Sequence, residues 1–222
     1  MKSTLDLLKQ DYYLNYPLIY ALKHGAEVIG AGDDGVALLI PNPDFLLLAG
    51  SNPLNLVKQR TKPDLVQLCG SQNAKAVSTH FEFNDVLECH QLYYPHQTIK
   101  SDLELEPLKP DDVGFVLNHY HRLDPDEIKK AISEKRLFGL RDNGKLFAFI
   151  GLHEENAMGM LEVLPEYRCQ GWGERLERAL IAKVLAMGEL PYGHVITGNK
   201  SSMQLQKKLG FVECSDLVYW MW

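Results

Sequence analysis

The sequence predicts a mixed α/β protein in two parts, with helices laid on a mixed sheet, and three observations predict it. Strand-sized apolar runs alternate with longer amphipathic segments along most of the chain. Periodicity breaks between Tyr93 and Ser101 and restarts at Leu103, which places a boundary near residue 100 between a domain of residues 1–100 and one of residues 101–222. The 222 residues are 45% hydrophobic and 23% charged, enough for one large globular domain or two small ones, and this excludes disorder, collagen-like repeats and a pure coiled coil as overall descriptions.

In the first part, Thr4 to His24 reads as a helix rich in Leu and Tyr that ends at Gly25, with Pro17 a candidate break. Glu27–Gly30, Gly35–Ile40 and Asp44–Ala49 are short apolar stretches divided by Gly, Asp and Pro, so they read as strands. Asp33-Asp34-Gly35 is a turn signal compatible with a hairpin. Leu54–Arg60 and Pro63–Leu68 read as short helices.

In the second part, Leu103–Leu108 alternates as a strand does. Pro110-Asp111-Asp112 and Asp124-Pro125-Asp126-Glu127 each start a helix, because Pro suits the first turn and acids suit the positive end; the second helix reaches about Arg136. Leu137–Arg141, Lys145–His153 and Met158–Leu164 are strands, the first two closed by Asp142-Asn143-Gly144. Gly173–Met187 is the clearest helix: Leu176, Leu180, Val184 and Met187 fall at helical spacing, and Gly188 ends it. His194–Thr197 is a short strand, Asn199 caps a helix running to Leu209, and Phe211–Trp222 is extended and aromatic.

Charge and cysteine usage narrow the function. Lys and Arg number 23 against 29 Asp and Glu, a net charge of −6, which argues against a general nucleic-acid binder. Cys69, Cys89, Cys169 and Cys214 show no C-x-x-C spacing, so neither a zinc ribbon nor a redox motif is indicated, and free thiols in a reducing compartment are expected. The first residues lack a signal-like apolar stretch, and the longest apolar runs are strand-sized where a bilayer span needs about 20 residues. The expectation is a cytoplasmic protein without membrane, nucleic-acid or metal partners.

The chemistry concentrates in Val163-Leu164-Pro165-Glu166-Tyr167-Arg168-Cys169-Gln170-Gly171-Trp172-Gly173, a strand end, a basic glycine loop and a helix start. Such a turn presents backbone N–H groups at the positive end of a helix, a geometry that binds phosphate oxygens. Gly171 and Gly173, lacking Cβ, let the backbone approach an anion, and Arg168 can add charge-assisted hydrogen bonds. There is neither the Gly-Lys-Ser/Thr of a Walker loop nor the three-glycine spacing of a dinucleotide fingerprint.

The pattern Val-x-Pro-x-Tyr-Arg-x-x-Gly-x-Gly, matched at Val163, Pro165, Tyr167, Arg168, Gly171 and Gly173, resembles the acyl-coenzyme A loop of the GNAT N-acetyltransferase superfamily. Downstream, Asn199-Lys200-Ser201-Ser202 and Lys207-Lys208-Leu209-Gly210-Phe211 resemble its Asn-x-x-Ser/Ala and Lys-Leu-Gly-Phe segment. The resemblance covers about Leu103–Trp222 and leans toward the glycine N-acyltransferase-like branch, through Pro191-Tyr192-Gly193-His194-Val195 and the weakly patterned half ahead of it. It implies a GNAT fold in residues 101–222, preceded by a smaller α/β domain as a candidate degenerate copy. It also implies acetyl-CoA, or another acyl-CoA, as co-substrate, held by Val163, Leu164, Arg168, Cys169, Gln170, Gly171, Trp172 and Gly173, with Asn199 and Ser202 near the pantetheine and diphosphate.

By the same resemblance, a neutral amine attacks the thioester directly, with a backbone N–H near Val163 stabilising the oxyanion. No covalent enzyme intermediate is required, so Cys169 reads as a bystander. A base is needed because amines are protonated at neutral pH. Glu162 is the candidate, placed by alternation on the face opposite Leu161 and Val163, unless a β-bulge reverses the parity; His153 and Glu154 are further candidates. Two departures stand out. Ala157 occupies the position of the branch's catalytic Glu, and Gln206 that of the superfamily's acidic Tyr, with Tyr219 a substitute only if it is not core. The expected function is an acyl-CoA-dependent N-acyltransferase acting on a small-molecule amine or amino acid, with a homodimer compatible. The alternatives are an acyl-CoA-binding regulatory module and a protein or peptide N-acetyltransferase.

Overall fold

The computed structural model describes residues 3–222. The polypeptide forms two compact units. The first runs to Tyr93 and takes in His194–Met203 and Val212–Trp222; the second comprises Tyr94–Gly193 and Gln204–Phe211.

The first unit opens with α1 (Thr4–Leu8) and α2 (Tyr16–Lys23), separated by a 3₁₀ turn at Lys9–Asp11, where a single helix was expected. The stretch is divided just ahead of Pro17, the candidate break, which sits in the first turn of α2, where a missing N–H costs nothing. Strands β1 (Glu27–Gly32), β2 (Gly35–Ile40) and β3 (Phe45–Ala49) form an antiparallel meander. After α3 (Leu54–Val57), β4 (Leu65–Cys69) lies parallel to β3 over four positions, Phe45 opposite Leu65 to Leu48 opposite Leu68. The helix expected over Pro63–Leu68 is therefore a strand. Its Val66 and Leu68 are core residues, and ladders on both sides override a local pattern too short to choose. Helix α4 (Ser71–Phe81) and β5 (Val86–Tyr93) fill a stretch to which the sequence reading gave no element. The last strand of the chain, β11 (Val212–Met221), pairs antiparallel with both β4 and β5.

Both faces of this sheet are covered, which explains its nearly continuous apolar strands. Val36, Leu38, Phe45 and Leu47 pack with Leu8, Leu18 and Ile19 on one side; Ala37, Leu39, Leu46 and Leu48 pack with Val57, Val77 and Phe81 on the other.

The second unit contains β6 (Glu106–Pro107), α5 (Val113–His119), α6 (Pro125–Ser133), β7 (Leu137–Asp142), β8 (Lys145–Leu152), β9 (Met158–Val163) and α7 (Trp172–Ala186). It also holds the start of β10 (Tyr192–Ile196) and the end of α8 (Lys200–Leu209). Of the strand expected at Leu103–Leu108, only Glu106 and Pro107 pair, with Gly139 and Phe138; Ser101 instead turns the chain through hydrogen bonds with Leu103. The acid-rich helix start is as the sequence indicates. Asp124 accepts from the N–H groups of Asp126 and Glu127 (2.7 and 2.9 Å), and Glu127 reaches back to the Asp124 N–H.

Strands β6 to β9 run antiparallel, and β10 is parallel to β9. On one face lie α5 and α6, whose Val116, Ile128, Ala131 and Ile132 pack on Leu137, Phe149 and Met160. Helix α7 packs on β8 and β9 and buries Leu176, Leu180, Ile181 and Val184. Each unit thus contains a three-stranded meander (β1-β2-β3; β7-β8-β9), a helix (α3; α7) and a strand parallel to the third (β4; β10). The parallel ladder spans four positions in the first unit but one in the second, Gly193 opposite Met158.

Candidate active site

The candidate site is built on β9 and the turn that leads into α7. Leu164 N–H donates to the Phe147 carbonyl on β8 at 2.9 Å. Antiparallel ladders alternate their hydrogen bonds, so the N–H and C=O of Val163, opposite Ala148, point away from β8. The ladder of β9 with β10 ends at Met158, so those groups lie on an edge that continues unpaired past it. A bulge interrupts the β8–β9 register between Gly159 and Glu162, with Met160 at φ +53°. It falls before Glu162 and leaves the alternation of 161–163 regular. Glu162 lies opposite Phe149, on the face of α5 and α6, where the Phe115 and Tyr120 rings meet Phe149 edge-on. Leu161 faces α7, 3.8 Å from where a Cβ on Gly173 would stand.

Beyond β9 the chain makes a short 3₁₀ turn at Pro165–Tyr167 and enters α7. Tyr167 stacks on Phe147 and bonds Asp142 through its hydroxyl, which fixes the turn on the β7–β8 end. Cys169 and Gly171 both lie in the left-handed region, at φ +60° and +84°. At Gly171 that conformation accounts for glycine, and a Cβ there would meet nothing within 4 Å. Gly171 is the helix cap and offers no side chain to the first-turn N–H groups, so the positive end of α7 carries unsatisfied donors. The Trp172 indole Nε1 is a further buried donor with no partner among the described residues. The ring is held against Phe147 and under the Arg175 guanidinium, which pairs with Asp102. Free main-chain donors, an orphaned indole N–H and a glycine with open space beside it suit an acceptor-rich anionic group such as a diphosphate.

Arg168 does not point into this corner. Its Nε donates to the Val163 carbonyl and its Nη2 to Glu162 Oε1, both at 2.8 Å. The two residues singled out for base and anion contact are thus paired with each other, and Val163 keeps its N–H as the open group. Gln170 bonds the Glu166 carbonyl, and Cys169 is an exposed free thiol. Asn199 and Ser202 belong to the first unit. The Asn199 side chain caps α8, accepting from the Ser202 N–H at 3.2 Å and from the Ser201 hydroxyl.

Of the other base candidates, Glu154 is tied to Lys130 at 2.7 Å. The His153 ring lies where a Cβ on Gly159 would stand, and burial, with Arg136 near, pushes its pKa down to about 4, so it is neutral at pH 7. Tyr219 is core: its hydroxyl bonds Glu88.

The sequence reading passed over Glu177. It lies on α7 at 4% exposure, takes one hydrogen bond from Gln206 Nε2 (2.9 Å, to Oε1), and has no partner at Oε2. Burial pushes its pKa up to about 7. The signal was present, since an acid interrupts the apolar stripe Leu176–Leu180–Val184. Among the described residues no cluster of His, Cys, Asp and Glu could hold a metal ion, and no helix is long and apolar enough to cross a membrane.

The fold defines the class: this is a chain with the GNAT acetyltransferase fold. Residues 138–221 match the family model described as FR47-like protein, a GNAT-related domain. A Drosophila protein of known crystal structure superposes with a TM-score of 0.77 at 16% identity, over 98% of this chain and 94% of that one. The structure of a putative acetyltransferase from the GNAT family of Novosphingobium aromaticivorans gives 0.59 at 18% identity, over 96% of both chains. A tandem GNAT protein of clavulanic acid biosynthesis gives 0.51 at 13% identity, over 99% and 94%. No curated protein sequence matches the chain.

Proposed function

We propose that the protein is an acyl-CoA-dependent N-acyltransferase, with acetyl-CoA as the donor and a small amine or amino acid as the acceptor. The observation that carries this reading is the uncapped start of α7 joined to the unpaired edge of β9. The first offers donors for a diphosphate, and the second offers main-chain groups, ending in the Val163 N–H, along which a pantetheine amide arm would run.

Val163 N–H supplies the oxyanion contact, which is worth most where water is excluded. Gly171, Trp172 and Gly173 hold the diphosphate end; Leu164, Cys169 and Gln170 line the turn. Glu162 takes the proton from the attacking amine on the face shared with Phe149 and Tyr120. Arg168 keeps that carboxylate oriented until the amine arrives. The remaining cost of bringing amine and thioester together is met by positioning.

Residues 1–100 are proposed as a degenerate copy of the same fold, because the β1–β4 order repeats β7–β10 while a four-position ladder between β3 and β4 leaves no unpaired edge. Membership of the glycine N-acyltransferase-like branch and a cytoplasmic setting are part of the proposal; four free thiols fit a reducing compartment.

One observation favours a second reading. Gln206, which cannot donate a proton as a phenol does, fits a module that binds acyl-CoA without turnover. Calorimetric titration with acetyl-CoA, followed by release of free CoA against a panel of primary amines and amino acids, tests both. Binding with turnover supports the enzyme, binding alone the module, and no binding removes both.

A further inference from the structure

Glu177 is a carboxyl placed where an apolar residue would be expected, and its surroundings give it a direction. It follows Gly173 by four residues, so the two share a face of α7. That face meets Leu161 on β9 and Leu205 on α8: a Cβ on Gly173 would stand 3.8 and 4.0 Å from their Cδ2 atoms. Glu177 therefore sits one helical turn in from the loop, against the strand whose edge is unpaired, with Gln206 following Leu205. Gln206 Nε2 can only donate, so Oε1 is the accepting oxygen. When the acid is neutral its proton resides on Oε2, the oxygen that has no partner.

Among the described residues, no cation pairs with this carboxyl. On α7, Glu174 is taken by Arg178 and Lys208, and Arg175 by Asp102. On α8, Lys207 is solvent-exposed. On β9, Glu162 lies on the opposite face and pairs with Arg168. On β8, the one charged residue is Lys145, at the exposed end.

A buried, uncompensated acid with its proton on an unpartnered oxygen is expensive to keep for structure alone. We propose that Glu177, oriented by Gln206, is the acid that protonates the leaving thiolate of the acyl thioester; this rests on the acyltransferase reading above. In the step, the amine nitrogen forms a bond to the carbonyl carbon, the C–S bond breaks, and the sulfur takes the electron pair and then the Oε2 proton. The proton lost by the amine goes to Glu162, which releases it to solvent, and solvent reprotonates Glu177 before the next turnover. An acid near pH 7 gives its proton downhill to an alkyl thiolate, whose conjugate thiol is the weaker acid. Gln206 touches no reacting atom; it is a positioning residue.

The test is the pH profile of kcat with acetyl-CoA and an accepted amine, for the wild type, Glu177→Gln and Gln206→Leu, with calorimetric acetyl-CoA affinity measured on each. For Glu177→Gln we expect unchanged affinity, kcat lower by about 10²-fold at pH 7, and loss of the fall in kcat above neutral pH. Gln206→Leu removes a hydrogen bond that favours the ionised carboxyl, so that fall should move to higher pH. This shift would not follow from a packing defect, and it decides the matter if Glu177→Gln does not fold. An unchanged profile in Glu177→Gln, or an unmoved one in Gln206→Leu, overturns the proposal alone. Acetyl-CoA binding by the wild type without turnover of any amine also overturns it and leaves the coenzyme site standing. No binding overturns the acyltransferase reading and this proposal with it.

Discussion

Glu177→Gln should change the pH dependence of stability by an amount the structure allows one to work out. The carboxyl is buried and its pKa is raised from 4.5 to about 7, which corresponds to roughly 3 kcal/mol. The native state holds this proton more tightly than the unfolded chain does. Its stabilisation is therefore fully present below about pH 4.5 and is lost as pH rises through about 7. Glutamine keeps the shape and the oxygen that accepts from Gln206 but cannot ionise. The free energy of unfolding of the variant, minus that of the wild type, should thus sit at a constant offset in acid and climb by roughly 3 kcal/mol between pH 4.5 and pH 8. Glu155, also raised to about 7 by burial, and His153, lowered to about 4, titrate in overlapping ranges. They are present in both proteins and cancel from the difference, provided they do not couple to residue 177. Urea unfolding followed by far-UV circular dichroism at pH 5, 6, 7 and 8 measures it. A difference flat with pH would show that Glu177 is not held neutral in the fold, and the proton assigned to Oε2 would not exist.

The other predictions address the loop and the strand. Gly171→Val meets no atom in the protein but forces a branched residue to φ +84°, so it should cost about 1–2 kcal/mol of stability and abolish calorimetric binding of acetyl-CoA; retained binding would displace the diphosphate from this turn. Glu162→Gln should lower the rate about 10²-fold at pH 7 with little change in acetyl-CoA affinity, and an unchanged pH–rate profile would remove it as the base. Gly159→Ala brings a Cβ to 2.6 Å from His153 Nε2, so the ring must shift; a loss of about 1–3 kcal/mol is expected by thermal unfolding, and a neutral result would mean the imidazole moves freely.

Features set by a few neighbouring residues were readable from the sequence. The acid-rich helix start at Asp124, the Asp142-Asn143-Gly144 turn, the stripe of α7 from Leu176 to Val184 and the cap at Asn199 each depend on contacts within about one turn and form where expected, whereas Met187, read as the end of that stripe, is exposed. The alternation that sends Glu162 away from Leu161 and Val163 is likewise local, and the bulge at Met160 happens to leave it intact. The left-handed turn at Gly171 belongs here too, because such backbone demands a residue type at one position.

What tertiary structure decided involves partners far apart in the chain. Residues 65–69 became a strand because Leu65–Leu68 lie beside Phe45–Leu48 and Val66–Cys69 beside Val218–Met221, some 150 residues on; no window around Pro63 contains that information. The pairing of Arg168 with Glu162 turned two independent candidates into one ion pair. The difference between a ladder of four positions and a ladder of one distinguishes a sealed strand pair from an open edge, and it depends on how the strands diverge in space, which no residue type encodes. Glu177 is the same lesson at a single position: its sequence gives a charge on a helix, and only the packing of α8 over it removes the water that would have kept it ionised.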